Sequence, residues 1–75
     1  MKLPLLSATE LTKFLTKIGF QLIRQRGSHM FYRHADGRTT VVPNHSGKQI
    51  KRGLLRGILN EIKITREEFF KLLNN

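Results

Sequence analysis

Gln25-Arg26-Gly27-Ser28-His29-Met30-Phe31-Tyr32-Arg33 is the stretch whose reading decides the fold. A glycine-containing turn leads into a run of strand-forming residues. Side chains on a strand point alternately to its two faces. Ser28, Met30, Tyr32 and His34 therefore share one face, and His29, Phe31 and Arg33 share the other. Neither set is purely polar. One face should pack on helices, and the other should leave an aromatic ring beside charge, as binding surfaces do. Alternation alone does not say which face is which.

Working outward, Ala35-Asp36-Gly37-Arg38 carries the Asp-Gly signal of a tight hairpin. It joins the strand Ser28 to His34 to a strand Thr39 to Val42, closed by Pro43, which has no N–H for a ladder. Upstream, Phe20 to Arg24 reads as a strand that pairs with the second across Gln25-Arg26-Gly27. A helix precedes it. Ser7 and Glu10 form a capping box, with Leu6 and Leu11 as its hydrophobic staple. Leu11, Phe14, Leu15 and Ile18 make one apolar stripe, and Gly19 supplies the left-handed residue that ends it.

Downstream, Pro43-Asn44-His45-Ser46-Gly47-Lys48 reads as a loop, and a second helix is expected from about Gln49 to Ile62. Its stripe is Leu54, Leu55, Ile58, Leu59 and Ile62. Gly53 and Gly57 sit one turn apart, each costing about 1 kcal/mol against alanine, which suggests close approach to the sheet. Thr65 and Glu68 repeat the capping box, and Ile64 and Phe69 the staple, ahead of a short helix that caps the core. The expected fold is α+β: a helix, a three-stranded antiparallel sheet and a helix, with a short extra C-terminal helix. That is the layout of the double-stranded-RNA-binding domain.

A chain of 75 residues is expected to form one domain, residues 1–75, with a small core. It has no cysteine, which excludes a disulfide framework and suits a reducing cytoplasm. The apolar run near Met1 is too short, and broken by Pro4, for a signal peptide, and nothing approaches a membrane span. The formal charge is +9. Between Leu11 and Asn60 the only acid is Asp36, against Lys13, Lys17, Arg24, Arg26, Arg33, Arg38, Lys48, Lys51, Arg52 and Arg56. A field of one sign over most of a small domain destabilises it, and phosphate backbone is the partner that best explains it.

RNA brings its own nucleophile, the 2′-hydroxyl. Cleavage needs a base to take its proton and cations to meet the charge that builds on the phosphate. His29 is the candidate base or acid, and Arg24, Arg26 or Arg33 the phosphate holders. Lys48, Lys51 and Arg52, at the start of the second helix, make a further phosphate seat. With no cysteine and a single central acid, no metal or other cofactor is expected. The products would be a 2′,3′-cyclic phosphate and a 5′-hydroxyl. His34, His45, Tyr32 or water could be the second proton-transfer group, and the residues do not choose among them. His34 otherwise reads as a solvated turn residue and His45 as a loop residue.

Several motifs together resemble those of the HicA toxins: Gly19-Phe20, Arg24-Gln25-Arg26-Gly27-Ser28-His29, Tyr32-Arg33-His34-Ala35-Asp36-Gly37, Val42-Pro43 and His45-Ser46-Gly47-Lys48. Leu55, Ile58 and Leu59 add to them, and the resemblance runs from about Thr9 to Leu73. It implies a cytoplasmic toxin of the HicA–HicB type, a ribosome-independent mRNA interferase held inactive by a HicB-type antitoxin. The histidine of the family's Gly-Ser-His motif maps to His29, with Ser28 a further RNA contact. The resemblance also implies a monomer when free and a hetero-oligomer with the antitoxin, and no membrane partner. One departure is Arg52-Gly53-Leu54, where the family often has Pro-Gly-Thr. Two other readings stand beside it. One is a non-catalytic RNA-binding module on the same fold, indifferent to His29→Ala. The other is a protein whose basic face meets only an acidic partner.

Overall fold

Two hairpins build the sheet. The computed structural model describes residues 2–74. In chain order these form β1 (Leu6–Ser7), α1 (Ala8–Lys17), β2 (Phe20–Arg26), β3 (His29–His34), β4 (Thr39–Pro43), β5 (Gln49–Ile50), α2 (Arg52–Glu61) and α3 (Arg66–Leu73). β2, β3 and β4 make the expected three-stranded antiparallel sheet in sequential order.

The first hairpin is tighter than the sequence reading. β2 runs on to Arg26, which pairs with His29, so the turn is Gly27-Ser28 alone. Gly27 has φ +57° and Ser28 does not have positive φ, the pattern of a two-residue turn with glycine first. Ser28 thus leaves the strand and enters the turn. The second hairpin closes with a bond from the His34 N–H to Arg38 and one from the Gly37 N–H to His34. Gly37 takes φ +99°, so Ala35-Asp36-Gly37 forms a three-residue loop with a left-handed glycine.

Both capping boxes form. Ser7 accepts from the Glu10 N–H at 3.0 Å while Glu10 accepts from the Ser7 N–H at 2.9 Å. Thr65 and Glu68 do the same at the start of α3. Gly19 ends α1 at φ +100°. A side chain there would also meet His34, since a Cβ would lie 2.8 Å from its Nε2.

The helices cover one face of the sheet. Leu11, Leu15, Phe20, Val42, Leu55, Ile58, Ile62 and Phe69 are all but sealed from solvent. Each such side chain is worth about 1.5–3 kcal/mol of burial. Phe69 of α3 meets Phe14 of α1 edge-on, with centroids 4.9 Å apart. The buried face of β3 is that of Met30 and Tyr32. His29, Phe31 and Arg33 therefore take the face away from the helices.

Three further details depart from the sequence reading. Gln49–Ile50 is a short strand, not helix, and pairs with Leu6–Ser7. α2 consequently starts at Arg52, with Lys51 as an N-cap that makes no side-chain bond. Gly53 and Gly57 do not mark a close approach: a Cβ on either would meet nothing within 4 Å. His34 is not a solvated turn residue. It is half-buried, stands edge-on to Phe20 at 5.1 Å, and its Nδ1 accepts the Asp36 N–H at 3.1 Å.

Candidate active site

A bulge decides which side chains share the face of His29. In a regular strand, Phe20, Leu22, Arg24 and Arg26 would all point the same way. Phe20 is core, so the arginines would follow it inward. The register instead passes from Leu22 opposite Tyr32 to Arg24 opposite Phe31, leaving Ile23 as an extra residue. One extra residue shifts the alternation by one step. Arg24 and Arg26 thereby move to the outer face.

That face carries three cross-strand rows. Arg26, His29 and Pro43 form the first, Arg24, Phe31 and Val41 the second, and Gln21, Arg33 and Thr39 the third. His29, Arg24, Arg26 and Arg33 are exposed, and Phe31 is half-buried. The Arg24 guanidinium lies over the Phe31 ring, 4.6 Å from its centroid, a cation–π contact. The face therefore brings together an exposed imidazole, three guanidinium groups and an aromatic ring, with no carboxylate in any of the three rows.

The turn that precedes His29 is tied down. The Ser28 carbonyl accepts the Asn44 N–H at 2.6 Å, and the Gly27 carbonyl accepts from Gln25 Nε2 at 3.0 Å. The first of these bonds fastens the turn to the loop leaving β4. Ser28 itself is half-buried.

Other sequence candidates divide by location. Lys48 and Lys51 border a groove with Pro43, His45 and Leu54, next to the row that holds His29. Arg52 is elsewhere. Its Nε donates to the Leu3 carbonyl at 2.6 Å, and it borders a recess with Lys2, Arg56 and Arg66 on the helical side. The phosphate seat read from Lys48, Lys51 and Arg52 is thus split in two. Tyr32 and His34 lie on the inner face of β3, opposite His29, which removes both as direct partners of its imidazole. His45 remains, exposed on the loop beyond Pro43.

Arg38 shows that a counted charge can be engaged within the fold. Its guanidinium donates to the Asp36 carboxylate at 2.8 Å and to the Ile62 carbonyl at 2.5 Å, and it lies over Phe20. It locks the second hairpin to the end of α2. The Arg38 backbone N–H on its carboxylate holds Asp36 below the usual carboxylate range, and the Arg38 side chain adds to that effect. Among the described residues, no three His, Cys, Asp or Glu side chains gather into a metal-binding cluster.

The sequence reading missed the partnership of Arg24 with Phe31 and the role of Ile23. A strand with one residue too many for its partner leaves no local mark.

The family model for the HicA toxin of bacterial toxin–antitoxin systems matches residues 8–64. The chain belongs to the HicA toxin family. The matched segment runs from the start of α1 to the residue before the α3 cap, and so holds the whole sheet and His29. No curated relative matches the chain. As a member of the HicA toxin family, it is the toxin half of a toxin–antitoxin pairing. Among the described residues, no helix is long and apolar enough to cross a membrane.

Proposed function

We propose that this HicA-family toxin is a metal-independent endoribonuclease that cuts mRNA on the outer face of its sheet, with His29 as the proton-transfer group. The observation that carries the reading is the shared face of His29, Arg24, Arg26 and Arg33, to which the bulge at Ile23 brings Arg24 and Arg26. A basic surface of this kind suits a polyanion, and an exposed imidazole on it is within reach of a sugar hydroxyl.

The chemistry balances without an added nucleophile. His29 takes the proton of a 2′-hydroxyl, and the freed oxygen attacks the adjacent phosphorus. The bond from phosphorus to O2′ forms as the bond to O5′ breaks. The guanidinium groups of Arg24, Arg26 and Arg33 meet the charge on the phosphate oxygens. The departing O5′ takes a proton from His45 or from water. A 2′,3′-cyclic phosphate and a 5′-hydroxyl remain. Lys48 and Lys51, in the neighbouring groove, extend the track for the strand, and Ser28 borders it at the turn. Arg52, on the helical side, falls outside that track.

The antitoxin in this reading is of the HicB type. It silences the toxin by covering the His29 face, and the toxin is a cytoplasmic monomer until it binds. An acidic partner is steered to such a surface by its charge.

The test is induced expression in bacteria of the wild type and of His29→Ala, scored by growth and mRNA integrity. Arrest with mRNA loss in the wild type alone supports the reading. Equal toxicity from a folded His29→Ala protein points to an RNA-binding module that harms without cutting. Cleavage products ending in 5′-phosphate, or activity abolished by EDTA, would overturn the mechanism.

A further inference from the structure

The outer face holds more than the imidazole and the cations. Phe31 stands two residues along β3 from His29 and points the same way, about 7 Å distant at the rise of a strand. It is half-buried, yet the helices are on the other side of the sheet. Its cover is the Arg24 guanidinium, 4.6 Å from the ring centroid. Beside this pair lies an open recess of about 450 Å³, walled mainly by Ile23, Arg24, Phe31 and Val41, with Tyr32, Thr39 and Thr40 also on its lining and the carboxylate of Glu61 from α2 at its rim. Half-exposed Ile23 is the bulge residue, so the distortion that brings Arg24 to this face also supplies an apolar wall.

A phosphate has no use for such a recess, but a nucleobase does. Bases stack on aromatic rings and on guanidinium planes, and a sheet face that carries both is a platform for unstacked single-stranded RNA. A recess of this size accepts a planar heterocycle.

We infer that Arg24, Phe31, Ile23 and Val41 form a base-stacking seat that holds the nucleobase flanking the phosphodiester at His29. This rests on the reading that the outer face binds RNA. The base lies against the Arg24–Phe31 stack, and its sugar–phosphate runs along β3 toward the imidazole. The seat fixes where the strand stops relative to His29. Stacking is tolerant of base identity, so it supplies affinity and position and leaves sequence preference to other contacts.

The probe is a short single-stranded oligonucleotide in which every sugar carries 2′-fluorine. It keeps the shape of RNA but has no hydroxyl to attack. Binding to wild type, Phe31→Leu and Phe31→Tyr is measured in EDTA, with thermal unfolding of each protein as a check on folding. A second series carries one abasic site, moved one position at a time. Phe31→Leu should bind the intact strand about five- to a hundredfold more weakly, and Phe31→Tyr within a fewfold of wild type. At one position the abasic site should weaken wild type by a similar factor and leave Phe31→Leu unaffected.

Equal binding by wild type and Phe31→Leu would overturn the seat, as would abasic sites that weaken both proteins alike at every position. If the seat is found but the wild type leaves natural RNA uncut, the cleavage reading falls and the seat stands. If the wild type binds no RNA, both fall.

Discussion

Lys63 ends α2 at φ 58°, a left-handed conformation that glycine usually supplies. Its N–H bonds to Asn60 and that of Ile64 to Leu59, the paired bonds of a full helix C-cap. A lysine there carries strain of about 1–2 kcal/mol, part of which a glycine would give back as chain entropy. Lys63→Gly should therefore stabilise the fold by up to about 1 kcal/mol, read from urea unfolding. Gly19 is the opposite case, with positive φ and His34 against its missing side chain. Gly19→Ala should destabilise by more than about 1 kcal/mol, and loss of the His34 packing should show as a shifted imidazole resonance. Gly19 was legible in the sequence because it follows an apolar stripe. Lys63 was not, because nothing in a lysine announces left-handed backbone. His34 was misread for a similar reason: its place beside a turn says nothing of the ring it leans on.

At the scale of elements, what was legible was local. Capping boxes, the helix stripes and the Asp-Gly turn each involve residues within a few positions of one another. The Leu6–Ser7 and Gln49–Ile50 pairing joins segments more than half the chain apart, and two-residue strands leave no alternation to read. That pairing is why α2 begins late and why Arg52 parts from Lys48 and Lys51. The caps also carry a pH dependence. The Thr65 backbone N–H on its carboxylate holds Glu68 below the ordinary carboxylate range, and Asp36 is lowered in the same way by Arg38. For both, the unfolded chain takes up its proton first as pH falls. Their contribution is thus full above about pH 5 and is lost as pH drops through about 4 and below. The unfolding midpoint should fall as pH drops below about 5. In Glu68→Gln it should fall less steeply.

Across the whole molecule, a charge of +9 is spread over a body 33 × 31 × 20 Å. Binding to RNA should weaken with salt, with a log–log slope near 0.7 for each phosphate contact on a single strand. Arg33→Gln should lower that slope by about 0.7 and leave the abasic-site pattern at Phe31 intact. Arg38→Gln should instead lower stability, because its guanidinium binds Asp36 and the end of α2. The core is the other whole-molecule constraint. Phe69→Ala, which empties a fully buried ring from beneath α3, should cost about 3–5 kcal/mol, enough to unfold a domain this small. Fold class was readable at this scale because charge and periodicity are averages over many residues. The makeup of the outer face was not, since it hangs on one surplus residue in β2.

That surplus residue has a consequence unrelated to RNA. β2 is one margin of the sheet, and among the described residues no strand pairs with its far side. Such a margin invites a second copy to add on, and then a third, as fibrils grow. A kink at Ile23 and two neighbouring cations spoil the template, since an incoming strand can neither lie flat against it nor approach without repulsion. Deleting Ile23 and replacing Arg24 and Arg26 with threonine should turn the free toxin into a fibril former, visible by thioflavin fluorescence. A toxin released from its antitoxin thus carries its own guard against stacking into an inert thread.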